Sequence, residues 1–150
     1  MDYTKIDKDL LNDLLQKALH SERHRYAYDL RNSEEDTSQR MLNTLLPDTE
    51  VPNHRHEDTS ETIICFFGRI DVVFFAEQSG KAERYEETKK RSGEYVVKQG
   101  DQRFLEVERY CLYPEAKRFG VQIPKGVWHS VEPVFPSCIV ECKDGKYKPK

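Results

Sequence analysis

The sequence lacks long apolar runs, an excess of either charge, and any close pair of cysteines. Its 24 Lys+Arg stand against 27 Asp+Glu, for a net charge of −3. Interspersed signs of this kind give no basic footprint for nucleic acid or for an anionic membrane. No apolar stretch approaches the ~20 residues that span a bilayer, and Met1-Asp2-Tyr3-Thr4-Lys5 opens no secretory signal. The four cysteines, Cys65, Cys111, Cys138 and Cys142, form no C-x-x-C motif. On one strand Cys138 and Cys142 would lie roughly 13 Å apart, too far for a disulfide. Reduced thiols and a cytoplasmic location are therefore expected. At 37% hydrophobic and 34% charged residues, the core must be compact beneath much solvated surface. The 150 residues fit one domain, with no internal repeat or linker.

What is present begins with a helix. Ile6, Leu10, Leu11, Leu14, Leu15 and Ala18 recur at helical spacing, with Thr4 and Asp7 as the expected cap and acidic first turn. Residues 21–31 are polar and rich in Arg and Tyr, and fit either a continued helix or a surface crossing. His20 and His24 lack a matching carboxylate or thiol and are read as solvated. Residues 39–46 read as the first strand, stopped by Pro47. Ile63–Phe67 and Ile70–Ala76 flank Gly68-Arg69 as a hairpin signal. If Glu61, Ile63, Cys65 and Phe67 face inward, Ile64 and Phe66 face out and need cover from the helix or a second subunit. A turn at 78–81 and a strand at 83–86 follow. Residues 88–103, with the basic run Lys89-Lys90-Arg91, read as an exposed insertion. Further strands are expected at 104–112, 119–123 and 138–143.

The chemistry concentrates in Pro52-Asn53-His54-Arg55-His56 and the Glu61 that follows. On an extended strand His54 and His56 point to the same face. Two imidazoles so placed can share one metal ion. Glu61, after a polar turn, can return its carboxylate to the same point. Pro124-Lys125-Gly126 marks a turn just before a fourth candidate ligand, His129. Three imidazoles and a carboxylate suit one divalent transition metal: Fe, Mn, Ni, Co or Zn.

These residues resemble the two motifs of the cupins. His54, His56, Glu61 and Gly68 match the first, and Pro124, Gly126 and His129 match the second. No glycine precedes His54 at the usual place, Gly120 sits close to Pro124, and Pro133 stands where Asn is often found. The resemblance implies an all-β fold: a single cupin (double-stranded β-helix, or jelly-roll) barrel with an N-terminal α-helix. Residues 1–35 would form a helical segment packed on the barrel, and 36–150 the barrel, with an insertion at about 88–117.

Most of the chain also looks like the small WbuC-type cupin metalloproteins, which are encoded among bacterial polysaccharide and nucleotide-sugar genes. Gln39-Arg40-Met41-Leu42-Asn43, Ile123 to His129 and Glu141 to Pro149 carry that likeness, while Asp29-Leu30-Arg31 departs from the expected Asn-Leu-His. Gln39, Arg40 and Asn43 become substrate-contact candidates, although a regular strand would send Arg40 and Asn43 to opposite faces. The implied function is metal-dependent binding or conversion of a small molecule, a sugar or nucleotide-sugar, in polysaccharide biosynthesis. An Fe-dependent dioxygenase and a non-catalytic ligand-binding cupin are the alternatives. An enzyme of this type would be isomerase- or epimerase-like, or a dioxygenase. The expected partners are that small molecule and a second copy in a homodimer, with no nucleic acid and no membrane.

Overall fold

The computed structural model describes residues 2–77, 96–99 (backbone only) and 102–145. The elements run α1 (Lys8–Leu19), β1 (Arg25–Asp29), β2 (Ser38–Leu45), β3 (Glu61–Phe67), β4 (Ile70–Glu77), β5 (Val96–Gln99), β6 (Gln102–Leu112), a short 3-10 turn (Pro114–Ala116), β7 (Gly120–Ile123), β8 (Trp128–Pro133) and β9 (Ser137–Asp144). Two antiparallel sheets face each other, ordered β1-β2-β9-β3-β7 and β5-β6-β4-β8. This is the expected jelly-roll barrel with an N-terminal helix. Among the described residues, no helix is long and apolar enough to cross a membrane.

The apolar stripe of α1 seats Leu14 and Ala18, both fully buried, on the outer face of the five-stranded sheet. Leu42, Tyr26, Tyr28, Phe66 and Val140 meet it there. Burial of a leucine side chain of this kind contributes about 1.5–3 kcal/mol. The cap is Asp7 rather than Thr4: its carboxylate accepts the Leu10 N–H at 3.0 Å, so the helix starts at Lys8 and leaves Ile6 exposed. Phe66 is covered by α1, so this face does not by itself demand a second copy.

Several sequence expectations change in three dimensions. Residues 21–31 are neither helix nor surface crossing: β1 lies there and pairs along its length with β2, from Arg25 opposite Leu45 to Asp29 opposite Met41. The strand read as first, 39–46, is thus the second. Ile63–Phe67 and Ile70–Ala76 are not a hairpin. β3 pairs with β7 and β9, while β4 pairs with β6 and β8, so Gly68-Arg69 is a corner between sheets. Gly68 has φ +95°, and a Cβ there would lie 2.3 Å from the Pro136 carbonyl oxygen. Only glycine fits that close approach without strain.

A register shift between Cys65 and Phe67 turns Phe67 out of the barrel and into the cluster beneath α1. The segment read as inserted contributes β5 and β6. β6 is an inner strand of the second sheet, with Phe104 and Leu112 fully buried. The turn at 78–81, the strand at 83–86, the run Lys89–Arg91 and the tail beyond Gly145 lie outside the described residues.

The barrel interior is filled by Leu45, Ile63, Cys65, Ile70, Val72, Leu112, Ile123, Val131 and Ile139. Both faces of β4 are buried, because Val73 and Phe75 pack outward on Phe104 and Trp128. Trp128 is a packing residue, with its ring 4.6 Å from that of Phe104 and the Arg55 guanidinium 4.8 Å from its centroid. All four cysteines are free. Cys65 is part of the core, and burial pushes its thiol up to about 12.

Candidate metal centre and cavity

The two motifs are joined through main-chain atoms. His54 N donates to His129 O at 2.9 Å and His129 N donates to His54 O at 2.8 Å, while Gly126 N donates to His56 O at 2.8 Å. The last bond needs the turn in which Gly126 has φ +84°. The H-x-H segment is therefore an extended stretch bridged to β8 rather than a regular strand. The result is the same: three imidazoles face one another, with ring centroids 4.4 Å (His54–His129), 5.2 Å (His54–His56) and 5.7 Å (His56–His129) apart. One ligating atom from each lies within 4.8 Å of the others, so these three histidines could hold a metal ion.

Hydrogen bonds behind the rings select which nitrogen faces inward. The Nδ1 atoms of His54 and His129 lie 2.9 Å from the Pro52 and Val127 carbonyl oxygens. A carbonyl only accepts, so Nδ1 carries the proton and Nε2 keeps its lone pair for the centre. Glu61, at the first position of β3, is 3% exposed, which makes a charged carboxylate untenable without partners. Its oxygens sit 2.7 Å from His56 Nε2 and 3.7 Å from His129 Nε2. Burial raises the Glu61 carboxyl, but contacts with His129 and then His56 outweigh it and hold the group well below the usual carboxylate range. Despite that closeness, His56 Nε2 and His129 Nε2 are buried without a hydrogen bond of acceptable geometry.

Beside this cluster lies a cavity of about 410 Å³ bordered by His54, His56, Glu61 and His129. A shallower hollow of about 730 Å³ reaches His54 and His56 from the outside, through Asn53, Arg55 and Glu57. Gln39 and Asn43 both line the inner cavity. Arg40 does not: β2 has no bulge in its pairing with β9, so its side chain leaves on the other face, where Asp36 takes it up at 2.9 Å. Arg31 is likewise occupied by Asp29, and this pairing lowers the Asp29 carboxyl.

Four charged cavity residues were missed in the sequence: Arg23, Arg25, Glu141 and Lys143. Glu141 and Lys143 alternate with Val140 and Cys142 on β9. That period of two in a closing strand was the available signal. Arg25 had none, because its strand was not recognised. Lys143 is opposite both Gln39 and Glu61 in register, and its Nζ lies 3.2 Å from His56 Nδ1.

Solved structures share this architecture. The capsular polysaccharide assembling protein CapF from Staphylococcus aureus is 16% identical (TM-score 0.52), over 82% of this chain and 27% of that one. An L-ribose isomerase from Cellulomonas parahominis is 10% identical (TM-score 0.52), over 83% and 62%. An oxalate oxidase solved with the substrate analogue glycolate is 13% identical (TM-score 0.52), over 97% and 63%. This chain thus covers less than two thirds of each of them. At such identities the likeness is one of fold, and the fold is that of the cupins. No curated protein matches the chain in sequence. The family described as "Domain of unknown function (DUF6016)" matches residues 6–86.

Proposed function

This chain belongs to the DUF6016 family, and we propose that it is a cupin metalloprotein in which His54, His56, Glu61 and His129 hold one divalent transition metal over a small-molecule site. The observation that carries this reading is the meeting of His54, His56 and His129, one ligating atom of each within 4.8 Å of the others, with the buried Glu61 carboxylate 2.7 Å from His56 Nε2. Without an ion, His129 Nε2, whose ring has its Nδ1 proton on the Val127 carbonyl, would be a desolvated acceptor facing only a carboxylate. Three imidazoles and one carboxylate suit Fe, Mn, Ni, Co or Zn. Once bound, such an ion supplies a Lewis acid for a carbonyl or hydroxyl oxygen entering from the cavity.

The residues of the chain itself do the rest. Pro52 and Val127 carbonyls orient two of the rings, Glu61 carries the negative charge, and Gln39 and Asn43 offer amides to polar groups of a ligand. A carbohydrate context is supported by the WbuC-type likeness and by the neighbours named as a polysaccharide-assembling protein and a sugar isomerase. The test is elemental analysis of the purified protein. One metal per chain, lost in His56→Ala and His129→Ala, is the expected result. Full stoichiometry in either variant after dialysis would overturn the assignment.

A further inference from the structure

The cavity is electrically lopsided along its length. Register places Gln39, Lys143 and Glu61 side by side at the metal end, and Arg25 opposite Leu45 at the other. From Gln39 to Leu45 along β2 is roughly 20 Å between Cα atoms at ~3.3 Å per residue, a span narrowed by the long side chains of Gln39 and Arg25 that both line the cavity. Both carboxylates of the wall, Glu61 and Glu141, belong to the metal half, because Glu141 is opposite Met41 and Ile63. Arg23 and Arg25 stand at the far end, flanking His24, whose φ of 53° turns the chain there.

Several arginines elsewhere are neutralised, Arg31 on Asp29, Arg40 on Asp36, and Arg109 on Asp71, Glu106 and Glu132, while Arg69 and Arg118 are held by Cys111. The ion pairs among the described residues include neither Arg23 nor Arg25. At the metal end Gln39 is 5% exposed and lines the cavity, and its Oε1 has no hydrogen-bond partner among the described residues. A buried amide oxygen in that state awaits a donor from outside. Asn43 offers a second amide between the two ends.

We propose that the cavity takes a hydroxylated compound bearing an anionic group, with its hydroxyls toward Gln39 and the metal centre and its anion between Arg23 and Arg25. The inference rests on the metalloprotein reading for the direction in which the ligand lies. The anion is a phosphate or a carboxylate, both of which guanidinium groups recognise through paired, charge-assisted hydrogen bonds. Asn43 bridges the ends by bonding a hydroxyl in the middle of the ligand. Such a ligand is a phosphorylated sugar or a sugar acid.

Titration calorimetry on the full chain, after its metal content has been measured, tests this. The probes are D-glucose, D-glucose 6-phosphate, D-gluconate, D-ribose, D-ribose 5-phosphate and inorganic phosphate. At least one anionic sugar should bind about tenfold or more tighter than its uncharged counterpart, the scale of a hydrogen bond to a charged group. Arg25→Gln should remove that preference while leaving metal content and circular dichroism unchanged. Gln39→Leu should weaken charged and uncharged sugars by the same factor. Whether a phosphate or gluconate is preferred identifies the anion. Three results would overturn the proposal: equal binding of charged and uncharged sugars, a preference that survives Arg25→Gln, or inorganic phosphate binding as tightly as any sugar. Absence of metal with the anion preference intact would instead remove the metal reading alone.

Discussion

His54 and His129 exchange both of their main-chain hydrogen bonds, at 2.9 and 2.8 Å, although they come from opposite halves of the chain. Each ring is then oriented by a carbonyl two residues before it. The backbone bridge, rather than any contact between side chains, sets the distance between the two motifs. The centre is thus preorganised by the barrel.

It follows that metal removal should leave the barrel standing. Chelated wild type and His129→Ala should keep their far-ultraviolet circular dichroism and a cooperative melt, because the interior is filled by its own apolar residues from Leu45 to Ile139. Ligand binding should be lost. Global unfolding on chelation would make the metal structural.

The corner at Gly68 should tolerate no side chain. Gly68→Ala places a Cβ against the Pro136 oxygen and the Ser137 Oγ that accepts the Arg69 N–H, at a φ of +95°. A loss of about 1–3 kcal/mol or more is expected, read from the urea midpoint. An unchanged midpoint would mean that the corner relaxes freely.

α1 should stabilise the barrel without touching the site. Leu14→Ala removes a fully buried side chain and should cost about 2–5 kcal/mol. Metal stoichiometry of the folded protein should stay at the wild-type value. A selective loss of metal would tie the helix to the centre.

The thiols give a pH prediction of definite sign. Burial raises Cys65 to about 12, from 9.0 for an ordinary thiol. Between those values the unfolded chain releases the proton and the native protein holds it. This contribution is therefore complete below about pH 9 and is lost as pH rises toward 12. Stability measured in urea should fall across that window, and less steeply in Cys65→Ala. At neutral pH a thiol reagent should reach Cys65 and Cys138, both buried, only after unfolding.

The local pattern was enough for the helix, for the alternation of Glu61, Ile63 and Cys65, and for the meeting of His54, His56 and His129, because each rests on a period or spacing carried by neighbouring residues. Which sheet a strand joins is a different kind of fact. β3 and β4 look like a hairpin because both are apolar and flank a Gly, yet the tight corner at Gly68 sends them into opposite sheets. β1 carries only a partial alternation, being an edge strand, and β6, expected as a strand at 104–112, takes its register and its buried Phe104 and Leu112 only from its partners. Arg25, Glu141 and Lys143 share one cavity because pairing between β1, β2 and β9 brings them to one face. Long-range register of that kind depends on which distant strands exclude water together, and no window of neighbouring residues contains it.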